Sequence, residues 1–203
     1  MSIGKNKLTH DERRKLIMEK AAAVFAQYGL NGARTKEIAE ACEVNEALIY
    51  KHFSSKEELF RESYMWYQLK LIKRLDSVLK DAANGYESLV RAMEFQVENT
   101  ISDRIYSGFL LQSFASATQS DEIRDWVKAW HRGQNDYIDM ILDKGIKDGS
   151  IRPDIDIEKI RWKIQSAGLA GIISGLVELD GERVRSLVEV IFRDILESIT
   201  TEK

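Results

Sequence analysis

The chain has 203 residues and 44% hydrophobic content, which suits one domain or two small ones with a proper core. One Pro and no low-complexity tract speak against disorder, and no apolar run approaches the roughly 20 residues that span a bilayer. The net charge of −3 argues against indiscriminate nucleic-acid binding. Its distribution says more. Residues 1–56 hold ten Lys/Arg against seven Asp/Glu, a net +3, so the remainder carries −6. A basic head on an acidic body is the footprint expected when only the head meets phosphate.

Residues 1–8, with Lys5 and Lys7, read as a loose basic arm; no apolar stretch follows, so a signal peptide is not expected. Thr9 and Glu12 form a capping box that starts a first helix. Its stripe is Leu16, Ile17, Ala21, Val24 and Phe25, and Gly29 ends it after Tyr28. Arg13, Arg14 and Lys15 can approach a phosphate or form a solvated face.

Residues 35–53, TKEIAEACEVNEALIYKHF, spell two short helices around a tight corner at Glu43 and Val44. Thr35 is the expected N-cap of one and Asn45 of the other. Helices this short are not stable alone and must pack on something larger. Two capped helices at a sharp angle, the second ending in hydrogen-bonding side chains, describe a helix-turn-helix. An ordinary helical hairpin has the same spacing. The single Cys42 cannot form an internal disulfide, which fits a reducing cytoplasm; it reads as a small buried hydrophobe.

Ser55 with Glu58 opens a long fourth helix to about residue 80, which starts beside the motif and ends in the next unit. Asn84 and Gly85 break the pattern before a fifth helix over 86–101. A sixth follows over 104–117. Ser120 caps a seventh that Gly149 stops, and Pro153 lies in the next loop. The eighth, 157–179, carries Ala167, Gly168, Gly171 and Gly175 on one face. Glycine inside a helix costs roughly 1 kcal/mol against Ala, so that face calls for close approach of another backbone. The ninth, 182–200, shows Val184, Leu187, Val188, Ile191, Ile195 and Ile199. No strand pattern is visible, so the expected fold class is all-α with about nine helices.

The flanks of the motif, FAQYGLNGARTKEIA and YKHFSSKEELF, resemble the N-terminal domain of the tetracycline-repressor (TetR) family over residues 8–60. The family usually has Gly at the corner, where this chain has Glu43; a left-handed corner would then cost about 1–2 kcal/mol. The resemblance implies a helix-turn-helix head near 1–54 and an effector-binding, dimerising body near 55–203. It implies a homodimeric, cytoplasmic repressor, not an enzyme, released from double-stranded DNA by a small effector. The third helix would enter the major groove with Asn45, Glu46, Ala47, Tyr50 and Lys51. Thr35, Lys36, His52 and Lys56 would hold phosphates.

In the body, aromatic side chains on the fourth to seventh helices alternate with amides. Trp66, Phe95, Tyr106, Phe109, Trp130 and Tyr137, with Gln96, Asn99, Gln112 and Gln134, are candidates for a largely apolar effector cavity. Core is the bland reading of each aromatic. The small face of Ala167, Gly171 and Gly175, beside Leu187, Ile191 and Ile195, is the expected dimer interface. No HExxH, Cys/His cluster, nucleophile elbow or phosphate-binding glycine loop occurs, and no metal or cofactor is expected. An effector-blind regulator or activator keeps the same head, and a helical enzyme or carrier would need no DNA affinity at all.

Overall fold

The computed structural model describes residues 8–177 and 180–200. The expected basic arm with Lys5 and Lys7 lies outside the described residues, as does Leu179. Among the described residues the chain forms nine helices: α1 His10–Gly32, α2 Thr35–Ala41, α3 Glu46–His52, α4 Lys56–Leu79, α5 Gly85–Ser102, α6 Arg104–Ala117, α7 Asp121–Asp148, α8 Ile157–Leu176 and α9 Gly181–Ile199. None is long and apolar enough to cross a membrane.

Side-chain caps set most of the starts. Thr9 accepts from the Glu12 N–H at 3.2 Å, and Glu12 accepts from the Thr9 N–H at 2.8 Å. Asn45, Ser55, Asn84, Asp103 and Asp156 each accept from the N–H three residues on. These bonds satisfy donors that a helix start leaves unpaired. The second helix differs from expectation. Its cap position is Arg34, whose N–H donates to Glu37 at 3.2 Å, and Thr35 is already helical. Gly29 breaks α1 as expected, at φ 68°, but one more turn carries the helix to Gly32.

Two apolar clusters form the core, and one of them joins the head to the body. The first joins Ile17, Phe25, Ile38 and Ile49 of the head to Phe60, Tyr64 and Phe109 of the body, so burial is continuous across residue 54. Phe25 meets Phe60 edge-on at 5.0 Å, and Phe60 meets Phe109 edge-on at 5.2 Å. Each such pair adds about 0.5–1.5 kcal/mol beyond burial. The second cluster packs α5, α7, α8 and α9 around Met93, Leu142 and Ile195. α6 lies close on α1: a methyl on Gly108 would sit 2.7 Å from the Ala26 carbonyl oxygen.

The small face of α8 and Ile195 are used inside the protomer, which corrects that part of the expected interface, while Leu187 and Ile191 stay exposed. Ala167 is 1% exposed and Ile195 is fully buried. A methyl on Gly171 would lie 3.0 Å from Val188 of α9 and 3.5 Å from Thr100 of α5. Gly175 faces the Thr100 carbonyl oxygen. These residues serve the α5–α8–α9 packing. The apolar side chains that stay exposed on the pair are Leu169, Ile173 and Val177 of α8, and Leu187, Val190 and Ile191 of α9. Positions 169, 173 and 177 repeat every four residues, so they form one stripe.

Candidate DNA-binding face and interior cavity

The α2–α3 corner closes as a Schellman turn. The Glu43 N–H donates to the Glu40 carbonyl and the Val44 N–H to the Ala39 carbonyl, both at 3.0 Å. Glu43 stands in the left-handed region, at φ 56°, where glycine is the usual occupant. Beyond it, Asn45 accepts from the Leu48 N–H at 2.9 Å and starts α3. Ile49, 1% exposed, anchors this helix in the head core. Burial of that face turns Asn45, Glu46, Ala47, Tyr50 and Lys51 outward as one exposed surface. Lys36 is also exposed, 3.9 Å from Glu40 across one helical turn.

Three expected phosphate contacts sit differently. The Thr35 side chain is buried, and its hydroxyl shares a 3.1 Å hydrogen bond with the Tyr50 hydroxyl. That bond fixes the direction of Tyr50 on the exposed surface. His52 is buried against His10, with ring centroids 4.4 Å apart. Burial, then the nearby His10 and Arg14 charges, push its imidazole below the ordinary pKa. Lys56 is half-buried and donates to the Ala33 carbonyl at 3.1 Å. These residues brace the head. Arg14 braces it too: it donates to the His52 carbonyl, pairs with Glu62 at 2.5 Å and lies 4.1 Å from the Phe53 ring centroid.

The body holds a cavity of ≈ 430 Å³ between α4, α5, α6, α7, α8 and the Phe192 side chain of α9, partly open to solvent beside the exposed Trp162 and Leu169. That lies within the roughly 300–1,000 Å³ of small-molecule sites. Of the expected residues, Phe95, Gln96, Asn99, Tyr106, Trp130, Gln134 and Tyr137 line it. Trp66, Phe109 and Gln112 do not. Phe109 belongs to the aromatic core shared with Phe25 and Phe60. Trp66 packs at the edge of that core, with the Lys70 ammonium 5.6 Å from its ring centroid. The Gln112 carboxamide fills the space that a side chain on Gly29 would need, so it joins α6 to α1.

Gln68, Leu110, Trp162 and Gln165 line the cavity too. Gln68 falls four residues after the buried Tyr64, on the same face of α4. Gln96 and Tyr106 are paired, with the amide N–H donating to the hydroxyl at 2.8 Å. Asn99 donates to the Phe95 carbonyl at 2.7 Å, while its own side-chain oxygen has no donor among the described residues. The buried indole N–H of Trp130 likewise has no acceptor there. No group of three or more His, Cys, Asp or Glu suited to a metal occurs among the described residues.

Comparison with known proteins bears on both regions. The family profile described as "Bacterial regulatory proteins, tetR family" matches residues 17–63, which span the α2–α3 unit. The HTH-type transcriptional repressor KstR2 of Mycolicibacterium smegmatis is 28% identical over 148 residues, 73% of this chain and 72% of that protein. The fold is shared with a transcriptional regulator of Saccharomonospora viridis in complex with choline, at TM-score 0.83 and 24% identity over 95% of this chain and 100% of that one. It is shared also with FadR of Bacillus subtilis in complex with stearoyl-CoA, at TM-score 0.73 and 20% identity over 87% of this chain and 96% of that one. Capped helix-turn-helix and matching profile agree: residues 17–63 of this chain are a helix-turn-helix head of the tetR family of bacterial regulatory proteins.

Proposed function

We propose that the chain is a homodimeric, cytoplasmic transcriptional repressor whose hold on operator DNA is set by a small, largely apolar ligand in the body cavity. Residues 1–54 act as the DNA-binding head and 55–203 as the sensing and dimerising body. α3 enters the major groove with Asn45, Glu46, Ala47, Tyr50 and Lys51, and Lys36 approaches a phosphate. Two copies join through the exposed apolar stripe of α8 and α9. That sets their recognition helices about 34–36 Å apart, or a multiple of it, one DNA turn per step. The activity is binding, and no catalytic step is required.

The observation that carries this reading is the two-sidedness of α6. Tyr106, Leu110 and Phe114, four residues apart, face the cavity. Gly108 and Gln112 of the same helix press on α1 of the head at Ala26 and Gly29. A ligand that moves α6 therefore moves the α1 contact, and a packed interface of this kind shifts between discrete arrangements. A ligand that favours the arrangement with the wrong head spacing lowers DNA affinity by population shift. The test is to retain fragments of the source genome on the protein, then release them with metabolite fractions. Sequence-specific retention with release by an apolar fraction is expected. Retention that no fraction alters would leave a regulator blind to effectors, and absence of retention would sink the reading.

A further inference from the structure

We infer that the cavity selects an uncharged ligand: an apolar skeleton bearing one or two hydroxyl, carbonyl or carboxamide groups, with no ionised group inside. This rests on the cavity being the effector site proposed above. The polar side chains lining it are carboxamides, phenols, two indoles and one imidazole: Gln68, Gln96, Asn99, Gln134 and Gln165 supply the amides, and His131 the imidazole. The amides, phenols and indoles donate or accept hydrogen bonds but cannot neutralise a buried charge; among the described lining residues only His131 could answer an anion, by taking up a proton. None of the described lining residues carries a carboxylate, an ammonium or a guanidinium. Two charges meet lining residues. Arg74 lies 5.4 Å from the Phe95 ring centroid, and Asp76 accepts from the Tyr137 hydroxyl at 2.7 Å.

The hydrogen-bonding capacity is also partly spent. Gln96 and Tyr106 satisfy each other, and Tyr137 is drawn toward Asp76. Two buried atoms have no partner among the described residues, the Asn99 side-chain oxygen on α5 and the Trp130 indole N–H on α7. A hydroxyl or primary amide donates and accepts at once, so it can answer either group once a side-chain turn brings that group to the cavity. A carboxylate can answer only the indole. A quaternary ammonium can answer neither, although the aromatic walls offer it some attraction.

Four probes with one chain separate these cases: 1-octanol, octanamide, octanoate and octylammonium, with choline as a fifth. Binding is read directly by titration calorimetry and by the fluorescence of Trp130 and Trp162 in the wall, on the full chain without DNA. 1-Octanol and octanamide should bind, and octanoate and octylammonium should bind weaker by roughly 100-fold or more, the scale of an unpaired charge taken from water. Choline should bind no better than octylammonium. Gln134→Arg should bring octanoate level with octanol. Equal binding of octanoate or choline by the wild type would overturn the inference, as would no binding of either neutral probe. Neutral probes that bind yet leave operator affinity unchanged would instead count against the sensor reading, and leave the ligand class standing.

Discussion

The Schellman turn between α2 and α3 gives a sharp test of how the head is built. Its pivotal position needs a left-handed backbone, and Glu43 holds φ 56° there. A side chain at that conformation costs about 1–2 kcal/mol from the clash of Cβ with the backbone. Glycine escapes the clash but gives up roughly 0.5–1 kcal/mol through its looser unfolded chain. The net gain for Gly over Ala at position 43 is therefore about 0.5–1 kcal/mol. Comparing Glu43→Gly with Glu43→Ala cancels whatever the Glu43 side chain itself contributes, since both variants remove it. Urea unfolding at fixed protein concentration should place the Gly variant above the Ala variant by that margin. In thermal melts the gap should be about 1–4 °C for a chain of this size. If the Ala variant equals or exceeds the Gly variant, the corner is not held in the left-handed region and the turn has another shape.

Four further outcomes are expected. Ile173→Glu should split the dimer in sedimentation velocity while leaving the fold intact, whereas Gly171→Leu should cost about 1–3 kcal/mol of stability by overpacking; a stable Gly171→Leu monomer would reinstate the small face as the interface. Lys36→Ala should flatten the slope of log K against log salt by about 0.9 per contact, so about two per dimer, while Lys56→Ala should weaken stability and leave the slope alone. Glu46→Gln should tighten non-specific binding and relax preference at one base pair of each half-site by about 1–3 kcal/mol, read by selection on randomised half-sites; identical preferences would mean that Glu46 serves only the helix dipole. His52 has its folded pKa below the unfolded value near 6.5, so the unfolded state binds more protons across that interval. Stability should fall as pH drops from about 7.5 to about 5.5, and His52→Gln should lose less over the same range; equal losses would exclude His52 as the cause.

The helical layout was legible because caps and apolar stripes are local signals. Thr9 with Glu12, Asn45 and Ser55 each mark a start with their own side chains. The left-handed corner was legible as well, since Glu43 stood where the family pattern wants glycine. What escaped depends on partners far along the chain. Small residues on α8 announce a close neighbour but not whose; here it is α5 and α9 of the same protomer. Lys56 reads as a free cation until the Ala33 carbonyl is seen beside it. His52 reads as a recognition-helix end until α1 covers it with His10 and Arg14. Phe109 and Phe95 have the same apolar spacing, yet one fills a core and the other lines a void. Periodicity cannot separate those cases, because a filled core and an empty cavity demand the same side chains.

The central claim is that cavity and DNA face are linked through α6. Linkage is reciprocal, so the factor by which a ligand weakens DNA binding must equal the factor by which DNA weakens ligand binding. The decisive measurement is the affinity of one releasing ligand for the free protein and for the protein saturated with its retained genomic fragment. A weakening of roughly 5- to 150-fold is expected on the DNA-bound form, matched by the loss of DNA affinity at saturating ligand. Equal ligand affinity for the free and DNA-bound protein would contradict it.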